Sequence, residues 1–407
     1  MNVVVMPSPL VGTVRVPASK SAAHRLLVCA ALADGPTRVA ISAMNRDIEA
    51  TVACLRALGA NIDGEGGALT ITPIAGTPDG AVLDCGESGS TLRFLLPVAA
   101  ALGAHVRFTG RGRLPERPNG PLVAALRAHG ATIDADLLPM NLCGPITGGI
   151  WTLPGDVSSQ YITGLLFALP LLRVDSAICL TTPLASAAYV DMTLQALAQF
   201  GVGVEPTGDG WRVPGGQRCR TPGEAGVEGD WSAAAFWLAA NAMGADIAVE
   251  GLDPDSVQGD RAVQALLGQA QIDATHVPDL VPALAVAAAS LPQRTVVTGA
   301  ARLRLKESDR LQSIAAMLAA LGHDATVTPD GLIIDGGAPK PCPEAVRNVD
   351  GANDHRIVMA AAIAAAHSDR PVRIAGAQAV EKSYPGFFRD FEALGGRIHV
   401  EPAGQSL

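Results

Sequence analysis

Lysine is nearly absent from this chain: of its 30 basic residues 26 are arginine, and only Lys20, Lys306, Lys340 and Lys382 are lysine. Aromatics are equally sparse at 4%, which leaves an Ala/Val/Leu core and offers few stacking platforms for single-stranded nucleic acid. A net charge of −9 opposes polyanionic partners in general, so neither nucleic acid nor a membrane surface is expected. No apolar run reaches the ~18–20 residues of a membrane-spanning helix, despite a mean hydropathy of +0.27. The best candidates, Leu165–Leu172 and Leu280–Leu291, are short and interrupted by Pro170 and Pro282. Met1–Pro7 lacks the basic and apolar regions of a signal peptide. The seven cysteines show no CxxC spacing and the eight histidines no HxH or HExxH, so a metal is not expected. P-loop, dinucleotide-binding and GxSxG signatures are missing too, which disfavours nucleotide-driven phosphoryl transfer, dinucleotide redox chemistry and serine hydrolysis. These features predict a soluble, cytoplasmic protein.

A repeated phrase is present instead: an amphipathic helix, a glycine, then strand, turn and strand. It reads LRALGANIDGEGGALTI at Leu55–Ile71 and LRAHGATIDAD at Leu126–Asp136. It returns as LAQFGVGVEPTGDGWRV at Leu197–Val213, LAALGHDATVTPDGLII at Leu318–Ile334 and FEALGGRIHV at Phe391–Val400, with a degenerate copy at Ala265–Asp273. The marker glycines Gly59, Gly130, Gly201, Gly268, Gly322 and Gly395 are 54 to 73 residues apart and suit the left-handed position after a helix. Turns are expected at Glu65-Gly66-Gly67, Gly208-Asp209-Gly210 and Pro329-Asp330-Gly331. Six copies imply a repetitive α/β architecture, and the Gly/Pro-rich stretch Pro214–Gly229 splits them three and three. The expectation is two pseudo-equivalent lobes with a cleft between them.

Basic residues gather where helices are predicted to begin. Lys20, Ser21 and Arg25 open a helix over Ser21–Leu32. The loop Gly86–Thr91 leads into Leu92–Leu102, and Asp156–Gln160 into Tyr161–Leu169. Lys306–Arg310, Asn353–Arg356 and Glu381–Ser383 stand before three more helices, while Lys340 reads as surface. Helix N-termini already carry positive partial charge, so added cations make sense when an anion binds there. Capping accounts well for Asp156, Ser308 and Asp354. A site for small polyanions bearing phosphate and carboxylate follows. Asp279 and Glu307 are candidates for proton transfer, against plain readings as an N-cap and a first-turn acid.

Eight ordered motifs carry a family resemblance. They are Ser19-Lys20-Ser21-x-x-x-Arg25, Gly86-x-Ser88-Gly89-Ser90-Thr91-x-Arg93, Arg113-x-x-Glu116-Arg117-Pro118 and Ser158-Ser159-Gln160, then Ser186-x-x-Tyr189-x-Asp191, Lys306–Arg310, Asn353–Arg356 and Lys382-Ser383-Tyr384-Pro385. The chain resembles, over essentially its whole length, the 5-enolpyruvylshikimate-3-phosphate synthases of the shikimate pathway. The resemblance implies a two-lobed inverse α/β barrel, each lobe of three βαβαββ units, with the active site in the cleft. It places residues 1–18 and 229–407 in the first lobe and 19–228 in the second. The implied reaction moves the enolpyruvyl group of phosphoenolpyruvate to the 5-hydroxyl of shikimate 3-phosphate and releases phosphate. Ser21 and Arg25 would hold the shikimate carboxylate, and Ser158, Ser159, Ser186 and Lys306 its phosphate, with Tyr189 beside the ring. Lys20, Gly89, Arg117, Gln160 and Lys382 would take the phosphate of phosphoenolpyruvate, and Arg310 and Arg356 its carboxylate. Lys20, Gln160 and Asp279 would also touch shikimate 3-phosphate. Asp279, Glu307 and Lys20 would be catalytic, the two acids moving protons and Lys20 stabilising the departing phosphate.

The same resemblance implies a monomer, no cofactor, and glyphosate as an inhibitor at the phosphoenolpyruvate site. Two positions depart from the pattern: Glu87 replaces a frequent Asn, and Arg302 a frequent Asn or Glu. The related UDP-N-acetylglucosamine enolpyruvyl transferases are disfavoured, because Gly110–Arg117 lacks their reactive cysteine and Ser21, not Asn, follows Lys20. A non-catalytic metabolite-binding relative would not require both acids.

Overall fold

In a computed structural model, which describes residues 1–401, the chain divides into two units, Met1–Pro17 with Gly229–Leu407, and Ala18–Glu228. Each unit is described separately. Ala18, read from sequence with the first unit, groups with the second, where its amide donates to Ser42 Oγ at 2.9 Å.

The second unit contains six helices: α1 Lys20–Ala31, α2 Arg46–Ala57, α3 Gly89–Ala101, α4 Gly120–Ala128, α5 Ser159–Ala168 and α6 Ala187–Gln199. Its simplest repeat runs strand Ala81–Asp84, α3, strand His105–Thr109, α4, then the paired strands Thr132–Ile133 and Met140–Cys143. The first two strands are parallel, and the last strand of the repeat returns antiparallel between the second strand and its hairpin partner. The repeat built on α5 and α6 has the same strand order. The α1–α2 repeat is closed out of sequence, its outer strand being Glu224–Gly226, parallel to Thr37–Ala40.

The first unit holds α7 Trp231–Ala242, α8 Val263–Leu266, α9 Val281–Ser290, α10 Arg310–Ala320, α11 His355–Ala366 and α12 Phe387–Ala393. The α9–α10 repeat is complete. The α11–α12 repeat borrows its last strand from the N-terminus: Asn2–Met6 lies antiparallel between Val372–Ala375 and Arg397–Glu401. The sixth repeat is abbreviated. Strand Val11–Arg15 pairs in parallel with Asp246–Glu250, α8 follows, and no hairpin closes it. The degenerate copy at Ala265–Asp273 thus keeps its helix and glycine, but the strand after it, Gln271–Asp273, begins the next sheet.

All six marker glycines have positive φ, from 71° at Gly201 to 107° at Gly130, and each follows the C-cap residue of its helix. Two kinds of helix result. The second helix of a complete repeat is amphipathic, as in α2, where Ile48, Thr51, Val52 and Leu55 are buried at helical spacing. The first is buried nearly all round: Val281 through Ala289 of α9 and Thr91 through Ala100 of α3 are inaccessible. The helices therefore fill each unit's core and the sheets wrap them, which is the inverse barrel expected. Small residues permit close contact of these inner helices. A Cβ on Gly164 of α5 would collide with the Arg93 carbonyl and lie 3.0 Å from Pro97 Cγ of α3.

Candidate active site

Side-chain caps fix where most of the site-bearing helices begin. Ser19, Ser88 and Ser158 accept backbone N–H bonds at the starts of α1, α3 and α5; Asp230, Asp309 and Asp354 do so for α7, α10 and α11.

In the second unit Lys20 is the first residue of α1, and its Nζ lies 3.0 Å from Asp47 Oδ2 at the start of α2. Arg25, one turn on, is almost fully buried. Its Nη1 donates to the Ser21 carbonyl at 2.7 Å, Nη2 to the Tyr189 carbonyl at 2.6 Å and Nε to Thr193 Oγ1 at 2.9 Å. Burial lowers its pKa to about 10, partly offset by Tyr189 and Cys29. Arg25 thus fixes the backbone of two other predicted site residues. Ser186 is held at φ 57°, a costly conformation for a serine, and its carbonyl accepts from the Tyr189 amide at 3.1 Å.

Gly89 begins α3, and a Cβ there would stand 2.8 Å from Arg117 Nη1. The absence of a side chain is what lets the guanidinium lie against the helix end. Arg93, behind it, donates to Gln160 Oε1 at 2.7 Å, Asn119 Oδ1 at 3.1 Å and the Pro118 carbonyl at 3.0 Å, while Gln160 Nε2 donates to Ser90 Oγ at 2.9 Å. Ser158 caps α5 and Ser159 is its first residue. Asp156 is not a cap: its Oδ1 accepts from Thr182 Oγ1 at 2.7 Å. Glu87 reaches toward Gly112, where a Cβ would meet its carboxylate.

The first unit's set centres on Arg310, which is 1% exposed. Its Nη1 donates to Asp279 Oδ1, its Nη2 to Glu307 Oε2 and its Nε to Asp354 Oδ2, each at 2.7 Å. Burial disfavours the guanidinium charge, but Asp354, Glu307 and Asp279 outweigh it and raise the pKa above the ordinary arginine value. Asp279 does not cap α9. Its carboxylate instead faces three cations, with Lys306 Nζ at 3.5 Å and Arg356 Nη2 at 3.3 Å besides Arg310. Arg356 Nη1 also donates to Ser232 Oγ at 2.6 Å and the Asp279 carbonyl at 3.1 Å. Lys382 Nζ donates to the carbonyl of Asn353 at 2.6 Å, and Ala352 and Asn353 both have positive φ. Arg302 donates to the Thr275 carbonyl at 2.7 Å.

Lys20, Ser21, Arg25, Gly89, Arg117, Ser158, Ser159, Gln160, Ser186 and Tyr189 therefore lie in the second unit, and Asp279, Lys306, Glu307, Arg310, Arg356 and Lys382 in the first. Capping alone underreads two positions. Asp354 caps α11 but also anchors Arg310, and Ser308 caps nothing, its hydroxyl donating to Asp354 Oδ2 at 3.1 Å. Asp47, Ser232 and Asp260 are not signalled by any motif. Among the described residues no group of three or more His, Cys, Asp and Glu side chains could hold a metal ion, and no helix is long and apolar enough to cross a membrane. Chemically, two carboxylates held among fixed cations suit proton transfer on an anionic substrate.

Comparison with known proteins agrees with this chemistry. The family model for EPSP synthase (3-phosphoshikimate 1-carboxyvinyltransferase) matches residues 4–276 and 269–391. The 3-phosphoshikimate 1-carboxyvinyltransferase of Clostridium kluyveri is 39% identical over 98% of both chains. That of Methanocorpusculum labreanum is 38% identical over 98% of this chain and 100% of its own. The EPSP synthase of Acinetobacter baumannii superposes with a TM-score of 0.81 at 27% identity, covering 98% of this chain and 100% of that one. The enolpyruvyl transferase NikO of Streptomyces tendae, at 16% identity and a TM-score of 0.78 over 98% of each chain, shares the fold. The chain belongs to the EPSP synthase (3-phosphoshikimate 1-carboxyvinyltransferase) family.

Proposed function

We infer that the protein transfers the enolpyruvyl group of phosphoenolpyruvate to the 5-hydroxyl of shikimate 3-phosphate, releasing inorganic phosphate, as a step of the shikimate pathway. The observation that carries the mechanism is the Arg310 guanidinium, which holds Asp279 and Glu307 at 2.7 Å each within one cationic cluster. In the addition step, the 5-hydroxyl gives its proton to Asp279 and its oxygen bonds to C2 of phosphoenolpyruvate. Glu307 protonates the methylene carbon, giving a tetrahedral intermediate. In the elimination step, Glu307 takes a proton back from the new methyl group, the double bond re-forms and phosphate leaves with the C–O electrons, taking up the proton that Asp279 received so that hydrogen phosphate is released and both acids return to their starting states. Lys20 compensates the charge of the departing phosphate.

Arg310 and Arg356 bind the carboxylate of phosphoenolpyruvate, and Gly89, Arg117, Gln160 and Lys382 join Lys20 at its phosphate. Ser21 and Arg25 serve the shikimate carboxylate, the latter also by fixing the Ser21 and Tyr189 backbone. Ser158, Ser159, Ser186 and Lys306 serve the 3-phosphate. The enzyme works as a cytoplasmic monomer without a cofactor; its seven free thiols suit a reducing compartment.

Phosphate release from purified protein tests this reading. Release should require both substrates and fall by about 10²–10⁴ in Glu307→Gln with the fold intact. Release that survives Glu307→Gln would discard the proton-transfer assignment, and no release from folded wild-type protein would overturn the function.

A further inference from the structure

Two loops of the second unit leave neighbouring strands at the same end. Strands Ile150–Leu153 and Ser176–Leu180 are parallel partners, with Leu153 opposite Leu180. The first loop leads to Ser158 and Ser159 at the start of α5, the second to Ser186 just before α6. The three serines assigned above to the 3-phosphate therefore stand on separate segments. Their spacing depends on what joins those segments.

A single side chain, Thr182, bonds from one loop to the other. Its Oγ1 accepts from the Gly155 amide at 2.9 Å and from the Asp156 amide at 3.2 Å, and donates to Asp156 Oδ1 at 2.7 Å. A threonine hydroxyl has one proton and two lone pairs, so its whole hydrogen-bonding capacity is spent on the facing loop. Backbone bonds run alongside, from the Thr181 amide to the Leu153 carbonyl at 2.9 Å and from the Ala185 amide to the Gly155 carbonyl at 3.1 Å. The two loops touch closely: a Cβ on Gly155 would stand 2.6 Å from the Thr182 carbonyl and 3.1 Å from Leu184 Cα.

We propose that Thr182 is a positioning residue, which ties the loop before α5 to the loop before α6 and so sets Ser158 and Ser159 against Ser186 around the 3-phosphate of the substrate. Three observations point the same way. Neutral hydroxyls bind an oxyanion only at short range and in good alignment, so a small shift of one loop against the other costs contacts on both. Ser186 has a φ of 57°, which a serine keeps only where its surroundings impose it. Ala185, the residue before it, is bonded to Gly155, and Thr182 anchors the same loop three residues earlier. Finally, Asp156 stands two residues before Ser158, where a loose carboxylate would repel a phosphate. The Thr182 hydroxyl holds that carboxylate on the crossing between the loops.

The inference rests on the proposed roles of Ser158, Ser159 and Ser186, and steady-state kinetics separates the two. Thr182→Val keeps the shape of the side chain and removes its hydroxyl. In that variant the KM for shikimate 3-phosphate should rise about tenfold, with kcat and the KM for phosphoenolpyruvate little changed. Thr182→Ser returns the hydroxyl and should bring the KM back towards the wild-type value. A residue that merely supports the fold would not divide the two substrates in this way. Thermal melts of each variant check that the fold is retained, and Thr182→Ala replaces Thr182→Val if the latter does not fold. An unchanged KM for shikimate 3-phosphate, an equal rise for phosphoenolpyruvate, or no recovery in Thr182→Ser would overturn the proposal. Ser159→Ala and Ser186→Ala are the controls: if both leave the KM for shikimate 3-phosphate unaltered, the reading of these serines itself fails. If they raise that KM and Thr182→Val does not, only the role of Thr182 fails.

Discussion

Arg310 and Asp354 form a two-point ion pair, Nε to Oδ2 at 2.7 Å and Nη2 to Oδ1 at 3.2 Å, with both side chains inaccessible to water. Asp354 also accepts from the Arg356 amide at 3.0 Å and from Ser308 Oγ at 3.1 Å, so four donors converge on one carboxylate. Replacing it leaves a buried guanidinium under-compensated. Asp354→Ala should destabilise the protein by about 3–5 kcal/mol, read as a fall in denaturation midpoint, with activity lost in parallel. A variant of wild-type stability would refute the anchoring role.

Gly89→Ala tests the approach of Arg117 to the start of α3. The new Cβ would come within 2.8 Å of Nη1 and 3.0 Å of Cζ, so the guanidinium must retreat. Stability should hold or rise slightly, because alanine suits a helix better than glycine by about 0.5–1 kcal/mol. The KM for phosphoenolpyruvate should increase about tenfold or more while that for shikimate 3-phosphate stays constant. Equal effects on both substrates would locate Arg117 elsewhere in the chemistry.

Gly164→Ala tests the packing of α5 against α3. Its Cβ has no room between the Arg93 carbonyl and Pro97, and overpacking of this kind costs about 1–3 kcal/mol. The expected result is a lowered melting temperature. An unchanged one would mean that α3 and α5 separate readily.

His24 supplies a pH dependence. Its Nδ1 pairs with Thr51 Oγ1 at 2.7 Å, and burial, with Lys20 and Arg25 nearby, lowers its pKa well below the usual value. The native state therefore keeps the ring neutral where the unfolded chain, titrating near 6.5, takes up a proton. Stability should fall as pH drops through about 6.5, because the unfolded state then binds more protons. His24→Asn should flatten that part of the stability curve; a curve of unaltered slope would assign the effect to other groups.

What the sequence reveals and what it hides follow from the range of the interactions. Helix ends are local events, so the six glycines of positive φ are legible from the pattern around each one, as is the clustering of cations at helix starts. Ion pairs between distant segments leave no local trace. Asp47 meets Lys20 across 27 positions and Asp354 meets Arg310 across 44, and each aspartate has a sufficient local explanation in the first turn or cap of its own helix. The same reasoning underrates Asp279, which looks like a cap and is instead the meeting point of three cations. The abbreviated sixth repeat is misleading for a related reason: Gly268 ends a helix as its counterparts do, but only the sheet shows that Gln271–Asp273 pairs forward with Arg294–Thr298.

The strand Asn2–Met6 has a consequence for synthesis. It is an inner strand, flanked on both sides by segments near the other end of the chain, Val3 pairing with Ile374 and with Val400. On the ribosome it emerges ahead of both partners and has neither until almost all of the intervening chain has been made. The segment Ala18–Glu228, by contrast, is contiguous and can complete its own core while translation continues. The order of folding is thus written into the connectivity: the inserted unit matures early, and the unit that encloses its ends must wait, exposing an apolar strand edge that a chaperone would have reason to cover.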